Sequence, residues 1–275
     1  MGTASPDLRL ATDNFAAFWS VLADARGHAL VRRPGFLAVT GSDRTGLRVL
    51  LLTPEPSVAD LANLIELVRS WLPGPVTVED PFSTVELTGC GLAPMRMPIM
   101  VRPPEPVGRA HPASAPTSAP ALAPALAPSS TPDPAALGDA AIDVHRVGHV
   151  HELTLVEDVV VHDFPLPPLQ PYQMGEAFPP ALLDRPEVGL HLARRGEVPA
   201  GACLTLTGPV TTGLYWMTTL PEHRSYGVGR SLLESVLAGL PERRMVLTAT
   251  PAGRPLYDSL GFRAIAEATW WIRYV

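Results

Sequence analysis

The sequence predicts an α/β layered protein in two parts. Three observations lead there. Short runs of aliphatic and β-branched residues alternate with segments of 3.6-residue apolar period. Hydrophobic residues make up 46% of the 275 positions and recur in clusters along most of the chain, enough to bury a core. A Pro/Ala/Ser-rich stretch then divides the pattern into two halves of similar element order.

In the first half, Phe15, Phe18, Trp19 and Leu22 fall on one helical face, and Gly27 follows as a stop. Phe36–Thr40 and Leu47–Thr53 read as strands joined by the polar turn Gly41–Gly46. Ser57 precedes a second helix over Val58–Leu72, with Leu61, Ile65, Val68 and Leu72 on one side. Pro75–Glu79 is a strand, Ser83–Thr88 a short helix, and Met97–Arg102 a closing strand. From Pro103 to Gly138 no period of 2 or 3.6 survives the prolines, and aromatics are absent. Such composition cannot offset its ordering entropy, so 103–138 reads as an extended, semi-rigid linker between residues 1–102 and 139–275.

After the linker, Ile142–Val147 begins as a strand, with helices over Glu152–Asp158 and Glu176–Asp184. Val188–Arg194 and Ala200–Thr207 are strands around the turn Arg195–Pro199. Gly213–Thr219 is a strand, Gly227–Gly239 a helix, Met245–Thr250 a strand and Arg254–Leu260 a helix. Phe262–Val275 closes as a strand.

Charge and cysteine usage narrow the function classes. A net charge of −6 gives no broad electrostatic grip on nucleic acid or anionic membrane. All the basic residues are Arg, so self-acylation on lysine is excluded. Cys90 and Cys203 form no C-x-x-C pair. No stretch nears the roughly 20 apolar residues of a membrane helix, and no signal-peptide pattern opens the chain. The expected compartment is the cytoplasm, as monomer or homodimer.

The informative segment runs Met217-Thr-Thr-Leu-Pro-Glu-His-Arg-Ser-Tyr-Gly-Val-Gly-Arg. A strand ends, Arg224-Ser225-Tyr226-Gly227-Val228-Gly229 turns, and a helix begins at once. Glycines allow a tight turn and close ligand approach, while the first helical amides lack intrahelical partners. The helix dipole favours an anion there, and Arg224 and Arg230 add charge. A dinucleotide fingerprint needs a third glycine where Leu232 stands, and a nucleotide-hydrolase phosphate loop needs a lysine.

Arg-x-x-Gly-x-Gly preceded by Pro221-Glu222-His223, together with Leu256-Tyr-Asp-Ser-Leu-Gly-Phe262 downstream, resembles the coenzyme A signature and closing segment of the GCN5-related N-acetyltransferases (GNAT). The resemblance covers about Ile142 to Val275 and is strongest from Gly213 to Phe262. It implies a mixed, mainly antiparallel sheet flanked by helices. It implies transfer of an acyl group from acetyl-CoA to a small-molecule or protein amine by direct attack, with no metal. The amides of Ser225, Tyr226, Gly227, Val228, Gly229 and Arg230 would hold the coenzyme diphosphate, with Arg224 beside them. Met217, Thr218 and Thr219 would pair with the pantetheine arm, and Tyr257 would protonate the leaving thiolate.

The general base is the open position. No carboxylate stands on Gly213–Thr219. Glu222 is the chosen catalytic candidate, with Glu176, Glu187 and His191 as others. Tyr215, Trp216, Tyr172 and Trp270 are candidate acceptor-pocket residues. His145, His149 and His151 lack the acidic pattern of a zinc protease, and no metal is expected. The first half has a similar element order, and Leu87–Met100 is faintly similar to the closing segment, but it holds no Arg-x-x-Gly-x-Gly. It is expected to be a degenerate copy or another small α/β domain that shapes the acceptor site or binds a partner. A catalytically inactive acyl-CoA sensor is the alternative function, and a nucleotide-binding enzyme the less favoured third.

Overall fold

The computed structural model describes residues 5–105, 140–164 and 169–273. Beyond residue 105, the expected linker lies outside the described residues. The first half holds α1 (Pro6–Arg26), β1 (Ala29–Arg32), β2 (Phe36–Thr40), β3 (Leu47–Leu51), α2 (Val58–Trp71), β4 (Val76–Asp80) and β5 (Ala93–Arg102). The second holds β6 (Ile142–Arg146), α3 (Val150–Asp163), β7 (Val188–Arg195), β8 (Val198–Thr207), β9 (Thr211–Thr219), α4 (Val228–Ala238), β10 (Arg244–Thr248), α5 (Arg254–Ser259) and β11 (Arg263–Arg273).

All the strands join one sheet in the order β1-β2-β3-β4-β11-β5-β10-β9-β8-β7-β6. The two halves are interleaved at its centre: β11 of the second half pairs with β4 and β5 of the first, and β5 also pairs with β10. The sheet is mainly antiparallel. Its parallel pairs are β3 with β4 and β9 with β10, one in each half. Helix α2 connects the first pair and α4 the second, as parallel neighbours require a crossover.

Strand alternation sorts the core onto two faces. Leu37, Val39, Ile99 and Val101 pack with α1 and α3 on one side. On the other, Phe36 and Ala38 pack with α2, while Met100, Met245 and Leu247 pack with α4. Helix α1 starts earlier than its aromatic stripe indicates. The Ser5 hydroxyl accepts from the Leu8 amide at 3.2 Å, Pro6 fits the first turn, and Gly27 closes the helix at φ 67°.

Two expected helices are corrected. Over Ser83–Thr88 the Asp80 carboxylate accepts the amides of Phe82, Thr84 and Val85 at 3.0, 2.6 and 2.8 Å, which holds the chain in a turn. Only Thr88–Cys90 forms a 3-10 turn there. Over Glu176–Asp184 the buried Glu157 carboxylate takes the amides of Gly175, Ala177 and Phe178, and Pro179-Pro180 limits helix to the 3-10 turn Pro180–Leu182. Strand β1 was not expected from the sequence; its residues are all exposed, so no burial pattern marks it.

Candidate active site

Strands β9 and β10 run side by side only over Thr211 to Gly213, which pair with Arg244 to Val246. Beyond Gly213 they share no register, although β9 continues to Thr219 and β10 to Thr248. A bulge in the β8–β9 pairing adds to the divergence: Leu204 faces Tyr215 while Ala202 faces Thr218, and Trp216 sits at φ 47°. A cleft of about 710 Å³, counted to its open mouth, occupies the gap.

The expected anion loop lies at the C-terminal end of β9. A 3-10 turn, Pro221–His223, leads into Ser225 at φ 65° and Gly227 at φ 85°. Gly227 is the N-cap of α4 and offers no side chain to it. Among the described residues, the amides from Ser225 through Arg230 make no hydrogen bond to the protein. Three Arg side chains hold the loop. Arg224 pairs with Asp163 and donates from Nε to the Thr219 carbonyl at 3.2 Å. Arg230 donates to Ser259 Oγ at 2.8 Å, and the buried Arg195 guanidinium lies 3.6 Å from the Tyr226 ring centroid. Gly229 is closely packed: a Cβ there would stand 3.1 Å from Thr219 Oγ1, so that side chain would have to give by a few tenths of an ångström.

The corresponding helix start in the first half is built differently. Ser57 caps α2 by accepting from the Asp60 amide at 3.1 Å, and its hydroxyl donates to the Asp60 carboxylate at 2.9 Å. That terminus is capped by its own side chain and carries an acid in its first turn, so it repels a diphosphate. Of the two crossover helices, α2 has a side-chain cap on its Asp60 amide, and α4 has no side-chain cap.

Tyr257 lines the cleft from α5, below Gly253. Burial, with the Cys203 thiol beneath, raises its phenol well above the ordinary value, so the hydroxyl keeps its proton across neutral pH. Met217 lines the same cleft, as do Tyr215, Trp216 and Trp270 from the candidate pocket residues. Tyr172 does not; its hydroxyl donates to Glu157 at 3.1 Å.

The structure does not bring Glu222 to the cleft. It is exposed on the 3-10 turn, which directs His223 inward instead. Glu176 is committed to Arg44 at 2.8 Å. His191 is outside the cleft lining, and burial, with Arg146 and His145 nearby, pulls it down to about 4. Glu187 does not line the cleft either. His145 lies between Glu152 at 2.9 Å and Asp143 at 3.3 Å and does not line the cleft.

The carboxylate that lines the cleft is Glu79, from β4 of the first half. It is 4% exposed and ion-paired with Arg48 of β3. Burial raises its pKa, opposed by Arg48 and by a hydrogen bond from Trp19. Tyr215 is already engaged, donating to Asn14 Oδ1 at 2.6 Å. Glu79 was missed because its partners are remote. The strand pattern reveals β4, but nothing local shows that β11 lies beside it.

Residues 172–270 match the profile described as an acetyltransferase (GNAT) domain. No curated protein matches the chain. Among solved structures, a GCN5-related N-acetyltransferase from Kribbella flavida is similar over 94% of each chain, with TM-score 0.56 and 15% identity. A conserved protein of unknown function from Staphylococcus epidermidis covers 90% of this chain and 94% of its own, with TM-score 0.55 and 10% identity. A GCN5-related N-acetyltransferase-like protein from Streptococcus suis covers 94% of this chain and 98% of its own, with TM-score 0.51 and 10% identity. At these identities the likeness is one of fold, and it extends over both halves.

Proposed function

With residues 172–270 forming an acetyltransferase domain of the GNAT family, we propose that the chain is an N-acyltransferase that moves an acyl group from acetyl-CoA to an amine. One observation carries this reading: the free amides from Ser225 through Arg230 stand at the end of the same strand, β9, whose departure from β10 opens a cleft lined by Tyr257 and Glu79. Unpaired amides at a helix start, with the field of the helix behind them, form a seat for a diphosphate. Arg224 and Arg230 stand at its two ends. Met217, Thr218 and Thr219 lie on the part of β9 beyond its pairing with β10, where that edge of the strand is left for a pantetheine arm. In this reading the first half is a copy of the same fold whose helix start has lost the anion seat and which has become part of the acceptor site.

Glu79 and Tyr257 divide the proton work. An ammonium cannot attack, so the Glu79 carboxylate takes one proton from it, directly or through one water, and passes it to solvent. The freed amine forms the C–N bond to the thioester carbonyl as the C–S bond breaks. Tyr257 donates its hydroxyl proton to the departing sulfur. The second proton shed by the nitrogen restores the phenol, so one proton is released per turnover. Glu222 takes no part in this scheme because of its exposed position.

The test is a thermal-shift panel of acetyl-CoA, CoA, NAD and ATP, followed by thiol release with an amine library. Stabilisation by acetyl-CoA and CoA alone, with thiol released by some amine, is expected. No stabilisation by acetyl-CoA would overturn the proposal. Binding without turnover across the library would leave an acyl-CoA sensor in its place.

A further inference from the structure

A second, open cavity of about 560 Å³, counted to its mouth, adjoins the cleft and shares Trp19 and Trp216 with it. Arg26, at the end of α1, and Arg48, of β3, both line this second cavity, and no carboxylate does. We propose that this cavity binds an anionic group on the acceptor, so that the substrate is an amine that also bears a carboxylate or a phosphate. This rests on the reading of the adjoining cleft as the acyl-transfer site.

The cavity wall holds these two cations without a carboxylate beside them in the lining. Arg26 donates from Nε and one terminal nitrogen to the Ala177 carbonyl, at 3.0 and 2.7 Å. Among the described residues no carboxylate lies within ion-pair distance of it. The acids in its field are committed elsewhere. Glu157 accepts three amides and the Tyr172 hydroxyl, and Glu176 is bound by Arg44. Glu79 is matched by Arg48, whose guanidinium lies 4.0 Å from the Trp19 ring centroid. Burial and the neighbouring Arg48 pull Arg26 down to about 10, which leaves it cationic at neutral pH. Arg26 and Arg48 line the cavity while Glu79, Glu157 and Glu176 do not, an arrangement suited to a fork-shaped contact with an oxyanion.

The arrangement also explains why the acceptor site draws on both halves. Arg26, Arg48 and Glu79 come from the first, Trp216 and Tyr257 from the second. An acceptor spanning the shared Trp19–Trp216 wall would place its anion by the guanidinium groups and its nitrogen by Glu79.

The experiment is a titration followed by intrinsic tryptophan fluorescence, since Trp19 and Trp216 line the cavity. N-acetylalanine is compared with N-acetylalaninamide, and O-phosphoethanolamine with ethanolamine. At least one anion-bearing probe is expected to bind tenfold or more tightly than its partner lacking the anion, and the better of the two identifies the anion. Arg26→Gln should erase that preference and leave acetyl-CoA affinity unchanged, while Arg26→Lys should retain part of it. Equal binding of the probes with and without the anion, or no binding of either, overturns the proposal, and so does an Arg26→Gln protein that keeps the preference. The comparison in unaltered protein needs no variant to fold. Failure of acetyl-CoA to bind, with the anion preference intact, would instead sink the acyl-transfer reading and spare this one.

Discussion

Trp270, on the last strand of the second half, stands directly opposite Glu79, on a strand of the first, in antiparallel register. The pairing puts a carboxylate from one half at the wall of a cleft that the other half opens. Burial raises the pKa of that carboxylate there, and Arg48 on β3 and Trp19 on α1 oppose the rise.

The first prediction concerns proton removal. Only ionised Glu79 can accept a proton, and burial raises its pKa. Turnover should therefore fall as pH falls through that raised value. Glu79→Gln should lower kcat by about 10²-fold or more and remove this acid limb, with acetyl-CoA affinity unchanged. Arg48→Met takes away the opposing cation, so the limb should move to higher pH. A pH–rate profile checks both, and an unaltered limb in Glu79→Gln would reject the base.

A second prediction follows from Tyr257. Its raised pKa leaves a proton to give throughout the neutral range. Tyr257→Phe keeps the ring contact with Phe262, whose centroid lies 5.7 Å away, and removes only the donor. Turnover should drop roughly 10²-fold with the KM for acetyl-CoA and the melting temperature nearly unchanged. Equal kcat in the two proteins would assign the acid to another group.

The loop was legible in the sequence because everything it needs is local. Gly227, Gly229 and two arginines lie within seven residues of a strand-to-helix junction, and their chemistry is complete there. The same holds for α2, read from Ser57 and its apolar period. Interleaving was not legible. Met97, Ile99 and Val101 mark β5 as a strand, but a buried strand carries no record of its neighbours, and here both come from the other half. Glu222 stands beside the loop in sequence, while the 3-10 turn leaves it exposed. Glu79 lies far from the loop in sequence and reaches the cleft only through β11.

A third prediction tests the turn. Gly227 has φ 85°, and a Cβ added there would meet nothing closer than Ile142 Cδ1 at 3.9 Å. The penalty for Gly227→Val is therefore one of backbone conformation, about 1–3 kcal/mol. The melting temperature should fall by several degrees and acetyl-CoA affinity should drop with it. Gly227→Asn, which tolerates the left-handed region better, should lose less of both. Calorimetry and isothermal titration of the two variants give the comparison, and equal affinity in both would separate the turn from coenzyme binding.

The last prediction is about dissection. Removing residues 1–105 would take β5 from between β10 and β11 and β4 from the far side of β11. Met245, Val246 and Leu247 of β10, all buried, would then lie on an open edge, which invites pairing with other chains. The cut would also free the groups that Asn14 joins: its Nδ2 donates to the carbonyls of Leu206 and Thr211 at 3.2 and 3.1 Å, and its Oδ1 accepts from Tyr215. Residues 140–275 expressed alone should aggregate or melt without a cooperative transition, despite containing the whole anion loop. Co-expression with residues 1–105 should restore a soluble complex that acetyl-CoA stabilises, because no covalent link is needed to seat β5. Size-exclusion chromatography and thermal melts decide the matter; a monomeric 140–275 fragment with a sharp transition would mean that the second half closes its sheet without β5.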